Sequence, residues 1–411
     1  MVLIHGTSGP FVYAALAAES LLVAICLTAI AYYAFAAFSA RRFFSRAPER
    51  GGAFYPPVSI LKPLRGLDRE AYENFASFCR QNYPKYQIVF GADASDEPAI
   101  SVAREIARDF PEVDVRIVVL SGSSAPNPKI GNLAGMVSEA KYPLLLISDS
   151  DIRVGPTHLK TMVQPLADPR VGVVTCLYRS HAVGLAGAMD ALGLSTDFQP
   201  AVLLARQLEG ISFAMGSGIL IRRSVLDEMG GFAAVAEYLA DDYLLGHLPA
   251  KAGHRVELAH YVVEHRLDTR TFTELVQHQM RWNRGIRAAR PRGYAGLLLT
   301  HGVPASLLLP WVAAGSAASW IVAGVTLASR AAMAWYVAVR CLRDPVAKRS
   351  LWLLPLRDLL GFALWIGAFL GSTIVWRGSR FRLGPGGRLL PATASEPSTR
   401  GEVVAPTRAV S

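Results

Sequence analysis

Cysteine is scarce in this chain. Its four cysteines, Cys26, Cys79, Cys176 and Cys341, stand far apart among 411 residues and show no C-x-x-C spacing. That pattern excludes a disulfide framework and a thiolate zinc site. No G-x-G-x-x-G and no G-x-x-x-x-G-K-[ST] occurs, so phosphates are not cradled by a glycine loop of the dinucleotide-binding or P-loop kind. Internal repeats are absent as well. Acidic residues are outnumbered, 32 against 42 Lys and Arg, for a net charge of +10. The basic residues crowd beside hydrophobic segments and do not form an aromatic-interleaved face. This argues against nucleic acid and for anionic lipid headgroups as the partner.

Apolar sequence is abundant: 52% of the residues are hydrophobic, enough for one globular domain of about 200 to 250 residues plus membrane segments. Ser20 to Phe38 is an uncharged run of 19 within an apolar segment, residues 11–38, whose only charge is Glu19. It is long enough to cross a bilayer as a helix. The opening Met-Val-Leu-Ile-His-Gly carries no Lys or Arg, so the segment reads as a retained anchor and not a cleaved signal peptide. Arg41, Arg42, Arg46 and Arg50 follow it, which by the positive-inside rule puts the amino terminus outside and the next domain in the cytoplasm.

Residues 296–376 return to the membrane, with about three spans expected. Between Arg292 and Arg330 lie 37 residues without Lys, Arg, Asp or Glu. They make room for two short spans broken near Pro310 to Ser316, or for one long tilted span and an interfacial helix. The hairpin, continuing to about Val339, is favoured. Leu356 to Trp376 reads as a last span, which leaves Arg377, Arg380 and Arg382 outside, against the charge rule. Arg357 and Asp358 begin that span, where adjacent charges mark either a transport path or interfacial snorkelling. Residues 389–411, with their Pro, Ser, Thr, Gly and Glu, read as a disordered tail.

Between these segments, residues 56–292 alternate β-branched runs with helical stretches, the pattern of a parallel sheet covered by helices. Strands are expected at Val58–Leu61, Tyr86–Gly91, Val115–Leu120, Leu144–Ile147 and Val171–Leu177, and helices near Arg69–Asn82 and Phe272–Ala289. The stretch Leu144-Leu145-Leu146-Ile147-Ser148-Asp149-Ser150-Asp151 is the most informative: a buried strand that ends in two carboxylates at i and i+2. At the carboxyl end of a parallel strand such a pair faces the ligand crevice and offers hard oxygen ligands to Mg²⁺ or Mn²⁺ bridging nucleotide phosphates. Asp93, followed by Ser95 and Asp96, ends another strand, and the loop after the third carries Asn127-Pro128-Lys129. With no glycine cradle, a metal on Asp149 and Asp151, helped by Lys62 or Lys129, must hold the phosphates.

Further on, Ala182 to Leu208 is amphipathic and reads either as a membrane-surface segment or as a buried helix. Gly216-Ser217-Gly218, before a β-branched strand, permits close backbone approach. Asp241 and Asp242 open a helix. The macrodipole alone explains acidic residues there, but beside a metal one of them becomes a candidate general base for an acceptor hydroxyl. In His278-Gln279-Met280-Arg281-Trp282-Asn283-Arg284, Arg suits a phosphate and Trp an amphipathic sugar or membrane boundary.

Taken in order, Val58 to Asp68, Asn127-Pro128-Lys129, Asp149-Ser150-Asp151, Asp241-Asp242-Tyr243 and Arg281-Trp282 resemble the ceramide glucosyltransferase-like family of membrane glycosyltransferases. Within it the chain looks most like the bacterial hopanoid biosynthesis-associated glycosyltransferases, over residues 15–385. The resemblance implies a GT-A fold: an α/β nucleotide-sugar-binding domain with a mostly parallel mixed sheet and helices on both faces, inserted between an N-terminal and several C-terminal transmembrane helices. It implies inverting transfer from a UDP-sugar, N-acetylglucosamine being favoured, to a lipid hydroxyl, a polyhydroxylated hopanoid. The site is then the cytoplasmic face of a bacterial inner membrane.

Carried over position by position, Asp93 faces the uracil, with Asp96 competing for that role, and Asp151 with Asp149 faces metal and diphosphate. Asp242 is the base, and Arg281 with Trp282 meets the leaving diphosphate and the acceptor. One position departs from the family pattern: three residues before Arg-Trp, where the family has Gln or Arg, stands His278. A ceramide glucosyltransferase is the nearest alternative. A processive polysaccharide synthase fits less well because so few spans hardly build a polymer channel, and a non-catalytic membrane scaffold would not need every ligand and base position filled.

Overall fold

The computed structural model describes residues 9–45, 54–95, 97–120, 125–376 and 379–391. Arg46, Arg50, Asp96, Arg377 and the tail beyond residue 391 lie outside the described residues. Eight strands form the central sheet: β1 (Val58–Pro63), β2 (Tyr86–Asp93), β3 (Asp114–Leu120), β4 (Leu144–Ile147), β5 (Ile152–Arg153), β6 (Val171–His181), β7 (Ile219–Arg222) and β8 (Arg255–Arg266). Their order is β3-β2-β1-β4-β7-β6-β8-β5. Strands β1 to β4 run parallel, β7 is antiparallel to both β4 and β6, and β6 pairs in parallel with β8. Every residue of β1 and β4 is buried, as central strands covered on both faces require. The carboxyl ends of β1, β2 and β4 therefore share one edge, which is where Asp93 and Asp149 stand.

The expected strands are present, together with two that no sequence pattern announced, β5 and β8. β8 is the longest after its charges are included, Arg-Val-Glu-Leu-Ala-His-Tyr-Val-Val-Glu-His-Arg. Its His, Glu and Arg residues break the clean apolar run of a central strand because it lies next to the edge, paired beyond by only the two residues of β5. Residues 184–209 resolve the choice left open above. They form two helices joined by a π-turn over Leu194–Phe198, buried from Met189 to Thr196.

The N-terminal helix, Gly9–Ser45, docks its end on this domain: the Phe43 ring stacks on His260 at 4.3 Å and the Arg206 guanidinium lies over the same ring at 5.1 Å. Among the described residues, three helical stretches are long and apolar enough to cross a membrane: Val12–Ser45, Ala317–Cys341 and Pro345–Phe369. A fourth, bent element joins Pro291–Thr300 to Gly302–Val312 at 53°. The break expected near Pro310 to Ser316 is present, with Ala314 and Gly315 in left-handed conformation at φ 49° and 73°. Gly302 touches Ala29 and Tyr33, and Tyr33 Oη donates to the Thr300 carbonyl at 3.0 Å, so the bent element rests on the N-terminal helix.

The expected last span, Leu356 to Trp376, needs correction. Its helix stops at Phe369, and Thr373–Trp376 is instead strand β9 of a small sheet with β10 (Ser379–Leu383) and β11 (Leu389–Pro391). The first residues of the expected disordered tail are thus ordered as β11. Ile374, Leu383 and Leu389 pack with Leu239 and Ala288, while Leu239 N donates to Gly387 O at 3.1 Å and Leu389 N to Glu237 O at 2.7 Å. The sheet consequently clamps the chain just before Asp241. The Leu354–Phe369 helix also leans on the charged Phe272–Ala289 helix at both ends. Arg357 Nη2 donates to Gln279 Oε1 at 3.2 Å, and Arg287 Nη2 donates to Gly371 O at 2.7 Å. These ties and the packing of the small sheet place Arg380 and Arg382 of β10 beside the catalytic domain, where the charge rule expects them if that domain is on the positive side. In sealed vesicles of a cysteine-free variant, single cysteines at Glu237 and Arg380 are expected to react with an impermeant maleimide from the same side. Labelling from opposite sides would contradict this topology.

Candidate active site

Asn127-Pro128-Lys129 is read directly in the structure. Asn127 caps the Pro128–Met136 helix, its Oδ1 accepting from Lys129 N at 3.0 Å and Ile130 N at 3.3 Å, with Pro128 in the first turn, where no N–H is needed. This cap aims the Lys129 side chain at the strand ends. Lys129 Nζ lies 2.7 Å from Asp149 Oδ1 and 3.3 Å from Asp241 Oδ2. Asn127 Nδ2 donates to Asp241 Oδ1 at 3.2 Å and to the Tyr238 carbonyl at 2.9 Å. Burial alone would depress the Lys129 pKa, but Asp149, Asp241 and Asp242 outweigh it, and Lys129 is held charged well above its ordinary value.

Asp242 stands beside this pair. Its Oδ2 accepts from Gly216 N at 3.1 Å and its Oδ1 from Tyr243 N at 2.8 Å. Its pKa is pushed up to about 6, first by burial and then by Asp241, against the lowering effect of Lys129. Gly216 is needed for this approach: a Cβ there would lie 2.8 Å from Asp149 Oδ2, 3.4 Å from Lys129 Nζ and 3.6 Å from Asp242 Oδ2. Gly246 has the same role one turn into the Asp241–Lys251 helix, where a Cβ would meet the Phe213 and Ala214 backbone at 2.3 Å. These two glycines let the helix start and the 213–218 loop close on the end of β4.

Asp151 points elsewhere. Its Oδ2 lies 3.2 Å from His265 Nε2, near the end of β8. His265 was not anticipated, since one His among the alternating charges of β8 carries no signal until the strand is seen to end beside β4. Burial lowers its basicity, but Asp151 more than compensates and its pKa is raised overall. Among the described residues no three His, Cys, Asp or Glu side chains converge tightly enough to hold a metal by themselves. The Asp151 carboxylate nevertheless suits Mg²⁺ or Mn²⁺, and the His265 imidazole the softer Mn²⁺, with further oxygens needed to complete either ion.

Lys62, expected to meet the phosphates, is fully buried. On the central strand β1 both faces are covered, so its Nζ lies 3.9 Å over the Phe78 ring and donates to the Asp149 carbonyl at 2.8 Å. Desolvation pulls its pKa down to about 7 in spite of Asp151, Asp149 and Asp68. It props the Asp149 turn from beneath and does not line the cavity. Asp93 also lies outside the cavity wall, on the same sheet edge two strands from Asp149, its Oδ1 accepting from Ser95 N at 3.0 Å and Ser95 Oγ at 2.7 Å.

Arg281 and Trp282 do line the cavity, together with His278. Their helix starts in a capping box of Thr271 and Glu274. The Trp282 ring meets Phe198 at 5.6 Å and His278 at 5.3 Å, and the Arg281 guanidinium lies 5.9 Å from Trp376 of β9. His278 Nδ1 is 2.8 Å from the buried carboxylate of Asp190, which also accepts from Gln279 Nε2 at 2.6 Å and Thr269 Oγ1 at 2.7 Å. The departure from the family pattern at position 278 is thus accommodated by a buried acid behind it. Asp149, Asp151, Asp241, Asp242, Lys129 and Arg281 all face one cavity of about 880 Å³, which continues between the apolar helices as far as Tyr33, Arg330 and Trp365.

A family model, Glycosyl transferase family 21, matches residues 21–389. The chain belongs to that family. Ceramide glucosyltransferase 3 of Caenorhabditis elegans is 26% identical over 348 residues, covering 82% of this chain and 74% of the relative. The ceramide glucosyltransferase of Komagataella phaffii is 34% identical over 161 residues, 37% of this chain and 30% of that one. Among solved structures, mannosyltransferase PcManGT from Pyrobaculum calidifontis, in complex with GDP-Man and Mn²⁺, matches with a TM-score of 0.56 at 18% identity, over 86% of this chain and 98% of that one. The likeness is one of fold, and the fold is GT-A. This family 21 member is a glycosyltransferase with helices suited to a membrane at both ends.

Lys129 is the cation that holds the Asp242 pKa down. Lys129→Met is therefore expected to shift the acid limb of the pH profile of kcat/KM for sugar transfer to higher pH, as well as reducing turnover. An unmoved or acid-shifted limb would show that Lys129 is not coupled to the base.

Proposed function

We propose that this glycosyltransferase moves a sugar from a UDP-sugar to a lipid alcohol, with inversion at the anomeric carbon and Asp242 as base. The observation that carries the reading is the Asp242 carboxylate, raised to about 6 and aimed by the Gly216 and Tyr243 N–H groups. It faces a cavity that runs from the strand ends into the apolar helices. The acceptor hydroxyl oxygen attacks the anomeric carbon, its proton passes to Asp242, and the bond from that carbon to the diphosphate oxygen breaks to release UDP. A lipid acceptor that left the bilayer would forfeit about 0.8 kcal/mol per CH₂ exposed, so a cavity open to the membrane helices supports a lipid over a soluble acceptor.

The charge balance supports a divalent cation. Asp149, Asp151, Asp241 and Asp242 face the cavity near a single lysine, Lys129, and a diphosphate adds further negative charge, with Arg65 and Arg281 also in the lining. Asp151 and His265 would hold Mg²⁺ or Mn²⁺, which neutralises charge on the leaving diphosphate. Asp149, already paired with Lys129, faces the donor, Arg281 and Trp282 meet the leaving group and acceptor, and Asp93, outside the cavity but on the same strand-end edge, would meet a uracil that reaches past β1. Resemblance favours N-acetylglucosamine as the sugar, a polyhydroxylated hopanoid as the acceptor, and the cytoplasmic face of a bacterial inner membrane. Glucosyl transfer to ceramide is the second reading, supported by the Caenorhabditis elegans relative.

Asp242→Asn keeps shape but cannot take the proton. It is expected to lower kcat by roughly 10² to 10⁴ while leaving the KM for the UDP-sugar within about threefold, measured by mass spectrometry of the lipid products. Asp241→Asn is expected to stay within about tenfold of the parent in kcat and to move the acid limb to lower pH, because Asp241 helps to raise the Asp242 pKa. Near-normal turnover in Asp242→Asn would remove it as the base.

A further inference from the structure

Tyr178 stands at the catalytic end of the cavity, and the transfer step described above does not use it. It lies near the end of β6, two residues before Ser180 on the same face of the strand, and both side chains touch His265. The Tyr178 ring meets the imidazole edge-to-face at 5.8 Å, while Ser180 Oγ lies 3.1 Å from His265 Nδ1. The same ring packs at 6.0 Å against Phe198, which in turn meets Trp282. Gln199 Nε2 donates to the Tyr178 carbonyl at 3.0 Å, so that backbone and ring are both held. The position of the hydroxyl is thereby fixed.

Tyr178 is only 6% exposed and lines the cavity, yet among the described residues nothing hydrogen-bonds its Oη, and this oxygen is not one of the polar atoms that the protein encloses completely. A buried phenol ordinarily finds a partner, and leaving it without one is costly. The four acids around it have partners of their own. Asp242 accepts from Gly216 N and Tyr243 N, Asp190 is shared by Thr269, His278 and Gln279, Asp151 faces His265, and Asp149 faces Lys129. Burial, and then the charges of Asp242, Asp190, Asp151 and Asp149, hold the phenol pKa well above its ordinary value, so Tyr178 offers the cavity a neutral O–H. Its complement is an acceptor oxygen on the ligand.

Which oxygen this is follows from what flanks the hydroxyl. In the transfer proposed above, the diphosphate lies at the Asp151 and His265 end, the acceptor hydroxyl lies at Asp242, and the sugar passes between them. Tyr178 touches the first end through the His265 ring, and of the surrounding acids Asp242, at the second, acts on it most strongly. We infer that Tyr178 reads the transferred sugar, its phenol O–H donating to a sugar hydroxyl oxygen. The inference rests on the transfer reading above and concerns the donor side of the cavity. It gives the protein a contact that tells a UDP-sugar from UDP, carried on a ring braced by His265 and Phe198.

The test uses the full chain in lipid nanodiscs with Mn²⁺ and a lipid alcohol, and with UDP-N-acetylglucosamine and UDP-glucose as donors. Tyr178→Phe removes one oxygen and keeps the ring. It is expected to leave the Kd of UDP within about twofold, which also reports an intact fold, and to lower kcat/KM for the donor that the parent uses by roughly ten- to a hundredfold. In the parent, one monodeoxy analogue of that donor is expected to lose a similar factor. With that analogue Tyr178→Phe should cost no more than about a further twofold, because the bond can be removed only once. A Kd for UDP weakened as much as kcat/KM, or full additivity of Tyr178→Phe with every monodeoxy donor, overturns the contact and leaves the transfer reading standing. Absence of transfer by the parent from either UDP-sugar overturns that reading, and the contact with it.

Discussion

The contact between the Lys129 ammonium and the carboxylates of Asp149 and Asp241 is the interaction on which the rest of the site depends. It ties the end of a central strand to the start of a helix almost a hundred residues later, and both to the loop that Asn127 caps. Without a cation at that point, Asp149, Asp241 and Asp242 would repel one another in a partly desolvated crevice, where like charges a few ångströms apart interact far more strongly than in water. With it, Asp242 stays near the boundary between acid and base at neutral pH, where a general base is most useful. Lys62 repeats the device from below, on the backbone of Asp149, at the cost of its own basicity.

The remainder of the architecture delivers two different substrates to that point. The parallel half of the sheet supplies strand ends facing an aqueous ligand, and the antiparallel β7 with β8 brings Gly216 and His265 to the same edge from later in the chain. The apolar helices prolong the cavity, which in the proposed function would admit the lipid. The small sheet β9 to β11 joins the two halves. It holds Leu239, two residues before Asp241, and places Trp376 against Arg281, so the C-terminal strands belong to the catalytic unit.

Much of this was legible in the residues. The Leu-Leu-Leu-Ile run ending in Asp149 and Asp151 read as a central parallel strand, because fully apolar strands occur where both faces are covered, and β4 is buried throughout. Asn127-Pro128-Lys129 and Asp241-Asp242 carried the chemistry of helix starts, and residues 272–289 form the helix their pattern demands. What failed did so for identifiable reasons. Lys62 is a charge on a strand with no exposed face, so its type suggested a ligand while its register made it a prop. Pro345 to Phe369 has the length and hydropathy of a span, and its tertiary ties, Arg357 to Gln279 and Gly371 to Arg287, are visible only in the fold. His265, Asp190 and Arg357 acquire their meaning from neighbours 78 or more residues away in sequence, a separation no local pattern encodes.

In the function proposed above, Asp151 and His265 would hold a divalent cation, and the donor diphosphate would supply the oxygens that two side chains cannot. Binding of Mn²⁺ to the full-length protein in nanodiscs, followed by the loss of the free-ion electron paramagnetic resonance signal with and without UDP, tests it most directly. Because two side chains alone make a poor site, Mn²⁺ is expected to bind at least about tenfold more tightly when UDP is present, and UDP to gain the same factor from Mn²⁺. An equal Mn²⁺ affinity in the two conditions would contradict it.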